Sequence, residues 1–536
     1  MLRKHTNMNY HNILKVFFSN FTFRDWWFVT SIIVLLFGMF CSPFVASVGK
    51  GFIVAGIILN FILWKKQIVD TKQKRFFLLC IACLFLLNIV GTIWSENKTE
   101  AITVLFHSVS FLIIPLFVFL HSPIKKNVLK FIILSYLFFC LLGTIIGFFN
   151  YITNNYTDTR HIVTGTRHIA FAINIAFSTC LLMVYTYYIG KHKKIIIPII
   201  IWQIAFLVIV QMISGLLACI IFVSIYITYL FVKQRNRLNT ILFVSKVVIL
   251  LALCGWIYIE YNNYFIPKEK VIKNWVLKTK EGNFYTSTDD KFIENGYFVN
   301  NYVCKKEVET EWQKLTGKSL YEKSFDTVHS FKNIVYRYLN SKGLHKDAES
   351  VRQLSKEDLD NIYKGIANVV YTERFSLRPR LYQTFHEIER FHHAKEVNYK
   401  SLIQRMAMTN SAFNIIKRYP LFGTGTADAS EDLRVQLSKD YPSLSQIIKA
   451  DPHNQLVYIT VKFGVVGLLF FIFATLYPFI KLKLWQNKYC TTFCMVFICY
   501  MFSESCLQMM AGEIFFCLFY SLLIFDDKEI RKYYLP

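Results

Sequence analysis

Residues 449–480 read KADPHNQLVYITVKFGVVGLLFFIFATLYPFI. From Gln455 onward the stretch is long and apolar enough to cross a bilayer, yet it opens on Asp451-Pro452-His453-Asn454, which no bilayer requires. The rest of the 536-residue chain follows the apolar part: 54% hydrophobic, 17% aromatic and only 18% charged, where soluble domains carry about 25% charged residues. Apolar runs begin near Trp26, Gly51, Phe76, Ala101, Phe131, Ile169, Ile195, Gly215, Ile241, Asn454, Thr491 and Leu507, or roughly twelve spans of ~17–25 residues. The expected fold class is all-α, a polytopic helix bundle. The N-terminus is basic and amphipathic but lacks a small-residue cleavage site, so the first span is expected to stay in the protein.

A net charge of +25 could suggest nucleic acid, but the lysines and arginines fall in alternate loops, including WKKQIVDTKQKR, SPIKKNVLK, GKHKK, VKQRNR and KLKLWQNK. The positive-inside rule makes those loops and both termini cytoplasmic, and it removes nucleic acid as a partner in favour of the lipid bilayer. Three regions follow: residues 1–260 with spans one to nine, a large external domain at 261–453, and residues 454–536 with the last three spans. The insert turns to Lys, Glu, Asn and Tyr, and helical punctuation such as LSKEDLDNIYKG and YKSLIQRMAMTNSAFNIIKRYP makes it mostly helical. Of thirteen cysteines only Cys304 lies away from the apolar runs, so it has no disulfide partner in the insert. The loop YPLFGTGTADAS lacks the Gly-Lys-Ser/Thr of a phosphate-binding loop, and its DASED acids read as a solvated turn rather than a cation site. No cofactor or metal is expected.

Charges inside the spans are few. Lys246 is placed near a span end where it can snorkel, and His107, Asn88 and Gln203 read as interhelical hydrogen-bonding groups. The polar chemistry gathers at the outer face. Asp451 suits an N-cap and Pro452 a first helical position, which would put His453 and Asn454 in the first turn of span ten, beside free N–H groups that attract an anion and favour a neutral histidine. A plain helix-capping role for His453 is the alternative. Arg160, His161, Arg167 and His168 crowd the loop before span six, and the insert adds Arg378, Arg380 and Arg405. Arginine forks bind phosphate oxygens in pairs, so these residues compose a candidate diphosphate site. ATP and nucleotide sugars are not expected outside a bacterial inner membrane. A glycan preactivated on a polyprenyl diphosphate would fit such a site.

RMAMTNSAFNIIKRYPLFGTGTAD followed by DPHNQLVYITVKFGVVGLLFF resembles the O-antigen ligase family in order and spacing, with RHIAFAINIAFSTCLL, IWQIAFLVIVQMISGLL and FSESCLQMMAGEIFFCLFYSLL resembling further family blocks. The insert looks like that of a Bacteroidetes-like subgroup. The resemblance implies a GT-C-type, inverting, metal-independent glycosyltransferase of the inner membrane, moving glycan from undecaprenyl diphosphate to an acceptor hydroxyl such as lipid A core. It implies catalytic roles for His453 and Arg405, while the outer-face placement of Arg160, Arg167, His168, Arg378, Arg380 and Asn454 makes them the expected contacts to diphosphate or glycan. Where the family often has an arginine before the span-eight glycine, this chain has Ile213-Ser214-Gly215, so Arg167 or Arg380 would replace it. Glu504 and Glu513 are expected to orient an arginine. A polymerase, a protein O-oligosaccharyltransferase and a lipid-linked glycan transporter are the competing functions.

Overall fold

A computed structural model describes residues 21–65, 72–153, 162, 167–188, 192–269, 277–287, 292–322, 330–394, 401–444 and 450–525. Arg160, His161 and both chain ends lie outside them. Ten helices come before the insert: α1 (Phe23–Cys41), α2 (Pro43–Ile62), α3 (Lys72–Gly91), α4 (Lys98–Ser108), α5 (Ser110–His121), α6 (Lys126–Thr153), α7 (His168–Tyr188), α8 (Lys193–Ile209), α9 (Ile213–Lys233) and α10 (Arg237–Phe265). The insert holds α11 (Lys305–Thr316), α12 (Phe331–Ser341), α13 (Ala348–Arg352), α14 (Lys356–Tyr363), α15 (Arg378–Ala394), α16 (Ser401–Arg418) and α17 (Ala429–Asp440). The bundle is completed by α18 (Gln455–Lys481), α19 (Lys488–Ser503) and α20 (Met510–Phe525). Among the described residues the named strands are two, Ile293–Glu294 paired antiparallel with Tyr297–Phe298.

The chain is an all-α, multi-pass membrane protein. Among the described residues nine helical segments are long and apolar enough to cross a membrane, α4 and α5 running together as one of them. The other three expected spans are the shorter helices α8, α19 and α20, of 17, 16 and 16 residues. The span expected from Leu507 begins instead at Met510, because Cys506–Gln508 is a tight 3-10 turn. Local signals set the boundaries: Thr22 and Asp25 form a capping box at the start of α1, while Ser42 ends α1 and caps α2 with Pro43 in the first turn. Helix α7 lies at the centre, its Phe177 ring meeting Phe493, Phe515 and Phe519 at 5.8, 5.2 and 5.0 Å. Aromatic interdigitation of this kind supplies the van der Waals contact that holds helices together in lipid.

Polar groups inside the bundle are paired across helices. Gln203 accepts from Thr179 at 2.9 Å and donates to Ser178 at 3.0 Å. Asn88 of α3 accepts from the buried Lys462 of α18 at 2.6 Å. Lys462 and the buried Glu513 are interior charges that the hydropathy pattern conceals. The Lys246 ammonium donates to Thr228 at 2.8 Å and covers the Phe243 ring, both on the side of the α9–α10 connection. His107 is exposed on α4 rather than placed between helices.

The insert has its own core around Trp312, Phe331, Ile334, Val335, Leu339 and Ile362. It is tied to α10, which continues to Phe265, by Tyr264, Val370, Tyr382 and Phe385 and by Glu260, which accepts from Arg378 at 3.0 Å and from the Tyr382 hydroxyl at 2.9 Å. Helices α16 and α17 share a further core with Val461 of α18. The insert thus reaches the bundle from both its flanks. All thirteen cysteines, Cys304 included, are free thiols.

Candidate functional site

The glycine-rich loop after α16 and the Phe463-Gly464 pair inside α18 form one clasp. At Gly464 the helix is broken by a left-handed residue (φ 65°, ψ −170°). Val465 and Val466 donate their N–H groups to the carbonyls of Pro420 and Leu421 (2.8 and 3.2 Å), while Thr424 and Gly425 donate to Val461 and Lys462 (2.9 Å each). The kink therefore leaves no penalty of buried, unpaired backbone. A Cβ at Gly464 would lie 2.1 Å from the Leu421 carbonyl oxygen, and one at Gly423 (φ 66°) 2.5 Å from that of Val461. The loop then reaches α3, Thr426 donating to the Asn88 carbonyl at 2.7 Å. Asp428, expected in a solvated turn, instead receives Ser95 Oγ and the N–H groups of Glu96 and Asn97 at 2.6–3.1 Å.

This clasp fixes the entry to α18. Contrary to the sequence reading, neither His453 nor Asn454 is in the first turn. Asn454 is the N-cap, its Oδ1 accepting from Leu456 and Val457 at 3.0 and 3.2 Å, so its carbonyl oxygen serves the helix. Asp451 accepts the His453 N–H at 2.8 Å and also the Ser505 hydroxyl. His453 itself is left-handed, with φ 52°, a strained conformation for a residue with a β-carbon and one found where function holds a side chain in place. The anion-attracting first turn expected here is already occupied by its own caps.

The His453 ring meets Glu504, just past the end of α19, with Nδ1 3.0 Å from each carboxylate oxygen. Arg405 of α16 donates to the same carboxylate at 2.8 Å and to the Ser503 carbonyl at 2.9 Å. Glu504 is 4% exposed, His453 26% and Arg405 33%, so an enclosed carboxylate holds two side chains that both reach open space. Burial tends to raise the Glu504 pKa, but the His453 ring, Arg405 and Arg167 outweigh it and hold the carboxyl below the ordinary glutamate value. An ionised carboxylate only accepts, so it fixes the proton on Nδ1 and leaves Nε2 as the acceptor. Two of the five guanidinium N–H groups of Arg405 are engaged in these bonds.

His453, Arg405 and Glu504 line one cavity of about 1710 Å³ between bundle and insert, above the ~300–1,000 Å³ of ordinary small-molecule sites. Arg167, His168 and Arg380 line it too. Arg167 stands at the start of α7, its carbonyl accepting the Phe171 N–H at 3.1 Å; its side chain makes no hydrogen bond or ion pair among the described residues. The N-termini of α7 and α15, carrying Arg167 and Arg380, face the cavity. Arg380 donates to Gln383 at 3.0 Å. Arg378 is drawn away, its guanidinium held by Glu260, Glu373 and Tyr382 at 3.0, 2.6 and 3.3 Å, outside this cavity. Glu513 lies buried inside α20 and is not paired with an arginine; the electrostatic neighbours of its carboxyl are Lys50 and Lys462.

Sequence reasoning missed Arg374 and Arg390, which also line the cavity, and the turn before α9, where Val210, Gln211 and Met212 line it and Gln211 donates to the Ser376 carbonyl at 3.0 Å. Arginine density in TERFSLRPR was the available signal for Arg374; nothing in the sequence marks Gln211. Among the described residues no group of three or more His, Cys, Asp or Glu side chains is arranged to hold a metal ion. Residues 359–472, from α14 through the first part of α18, match a family model described as O-antigen ligase. No curated protein matches the chain.

Proposed function

The chain carries an O-antigen ligase family domain over residues 359–472, and we propose that it transfers a glycan from undecaprenyl diphosphate to an acceptor hydroxyl on the periplasmic face of a bacterial inner membrane, with lipid A core as the acceptor. The observation that carries this reading is the His453–Glu504–Arg405 group at the bundle end of the cavity. The acceptor hydroxyl attacks the anomeric carbon of the donor sugar as the bond from that carbon to the phosphate oxygen breaks. Its proton passes to His453 Nε2, and Glu504 stabilises the imidazolium that forms. Negative charge grows on the leaving diphosphate, where the uncommitted N–H groups of Arg405, together with Arg167 and the N-terminus of α7, meet it. One displacement inverts the anomeric centre. No step calls on a metal.

Support comes from the division of labour between the arginines. Arg405 is oriented by Glu504, Arg167 makes no hydrogen bond or ion pair among the described residues, and Arg378 is consumed in fixing the insert. A strain lacking the gene separates the competing functions. Core without polymer, together with full-length polymer accumulating on its carrier at the periplasmic face, is expected. Core bearing a single repeat would make the protein a polymerase, and carrier-linked glycan held on the cytoplasmic face would make it a transporter.

A further inference from the structure

The cavity has two chemically different ends. At the bundle end its carboxylates are engaged: Glu504 by Arg405 and His453, Glu373 by Arg378, and Glu387 by the Leu402 N–H at 2.8 Å. The opposite wall comes from the insert's own core, where α12, α14 and the residue after α14 bring Lys332, Asn333, Glu357, Asp360, Asn361 and Lys364 to the same space. Here the side chains of Asn333, Glu357 and Asp360 are exposed and have no hydrogen-bond or ion-pair partner among the described residues. Two lysines and two carboxylates cancel, so this wall does not select a ligand by net charge. It offers donors and acceptors in quantity, with the Tyr336 ring, 4% exposed, set behind them.

We propose that the α12–α14 wall is a carbohydrate subsite that takes uncharged, polyhydroxylated sugars several residues away from the bond being made. It rests on the reading of the bundle end as the transfer site, and it gives the remote part of the cavity a purpose. Carboxylates and amides bind sugar hydroxyls by hydrogen bonds that a like-charged or apolar ligand would not form. A cavity of this volume would otherwise exceed what one sugar and a diphosphate fill. Because the wall belongs to the insert, glycan length or repeat structure would be read there while the chemistry stays at His453.

The test uses the full-length protein and the exposed double substitution Asn333→Ala/Asp360→Ala. Transfer is followed with carrier-linked donor isolated from the native cells, either full-length or trimmed to its first sugar, and with acceptor core either complete or truncated. The expected result is a rise of about tenfold in KM for a full-length substrate, with kcat little changed and the trimmed counterpart handled as by the parent. A length effect confined to the donor assigns the wall to the donor glycan; one confined to the acceptor assigns it to the acceptor. Equal kinetics for all four substrates, or an equal loss on trimmed and full-length forms, overturns the subsite. Parent protein that transfers neither donor overturns the underlying transfer reading instead, and the two failures are therefore distinct.

Discussion

Glu504 is the residue on which the site turns, since one buried carboxylate serves both a base and a cation. Removing its charge should act on both. With its pKa lowered in the folded state, Glu504 contributes stability that is fully present above its unfolded pKa, about 4.3, and is lost as pH falls through the folded value. Glu504→Gln is therefore expected to lower the melting temperature relative to the parent at pH 7, with the gap closing below about pH 4. It should also reduce kcat by about 10²-fold or more, because an amide can offer Nδ1 either a donor or an acceptor and no longer stabilises the imidazolium. A gap that persists unchanged at low pH would show that the carboxylate is not what holds His453 and Arg405.

The kinked helix α18 joins the site to the membrane core. Its left-handed Gly464, the Pro420–Gly425 loop and the Asn88–Lys462 bond form a continuous path from α3 to Asp451. Gly464→Ala would place a Cβ 2.1 Å from the Leu421 carbonyl oxygen in a conformation alanine resists, at a cost of roughly 1–3 kcal/mol and more if the clasp opens. Gly255→Ala, in open space on α10, is the control. Thermal unfolding in detergent is expected to separate the two clearly, with Gly464→Ala also losing transfer. Equal melting temperatures would mean that the clasp adds no stability.

The membrane architecture was legible because lipid punishes every unpaired backbone group, so spans must be long and apolar and their hydropathy announces them. Two short final helices blurred only their own boundaries. The motif residues were legible as a cluster but not in their local geometry. Asp451 looked like an N-cap and instead holds the His453 N–H, while the true cap is Asn454; both are good capping residues, and spacing alone does not choose between them. Pairings across long stretches of chain, such as His453 with Glu504 or Arg378 with Glu260, depend on how helices pack and leave no local trace. Buried Lys462 was hidden because one lysine hardly dents the hydropathy of a long apolar segment.

Across the molecule, a fixed insert closes over helix ends that present one base, one oriented arginine and one arginine without a hydrogen bond or ion pair among the described residues. The most direct test is transfer by purified protein from an undecaprenyl diphosphate glycan to core lipid in the presence of chelator, with His453→Ala assayed beside the parent and both confirmed as folded by thermal unfolding. The expected result is robust transfer by the parent and a loss of about 10²–10⁴-fold in kcat for the variant, which loses a Glu504 partner yet still unfolds in one cooperative transition. Transfer by folded His453→Ala at the parental rate would contradict the assignment of His453 as the base.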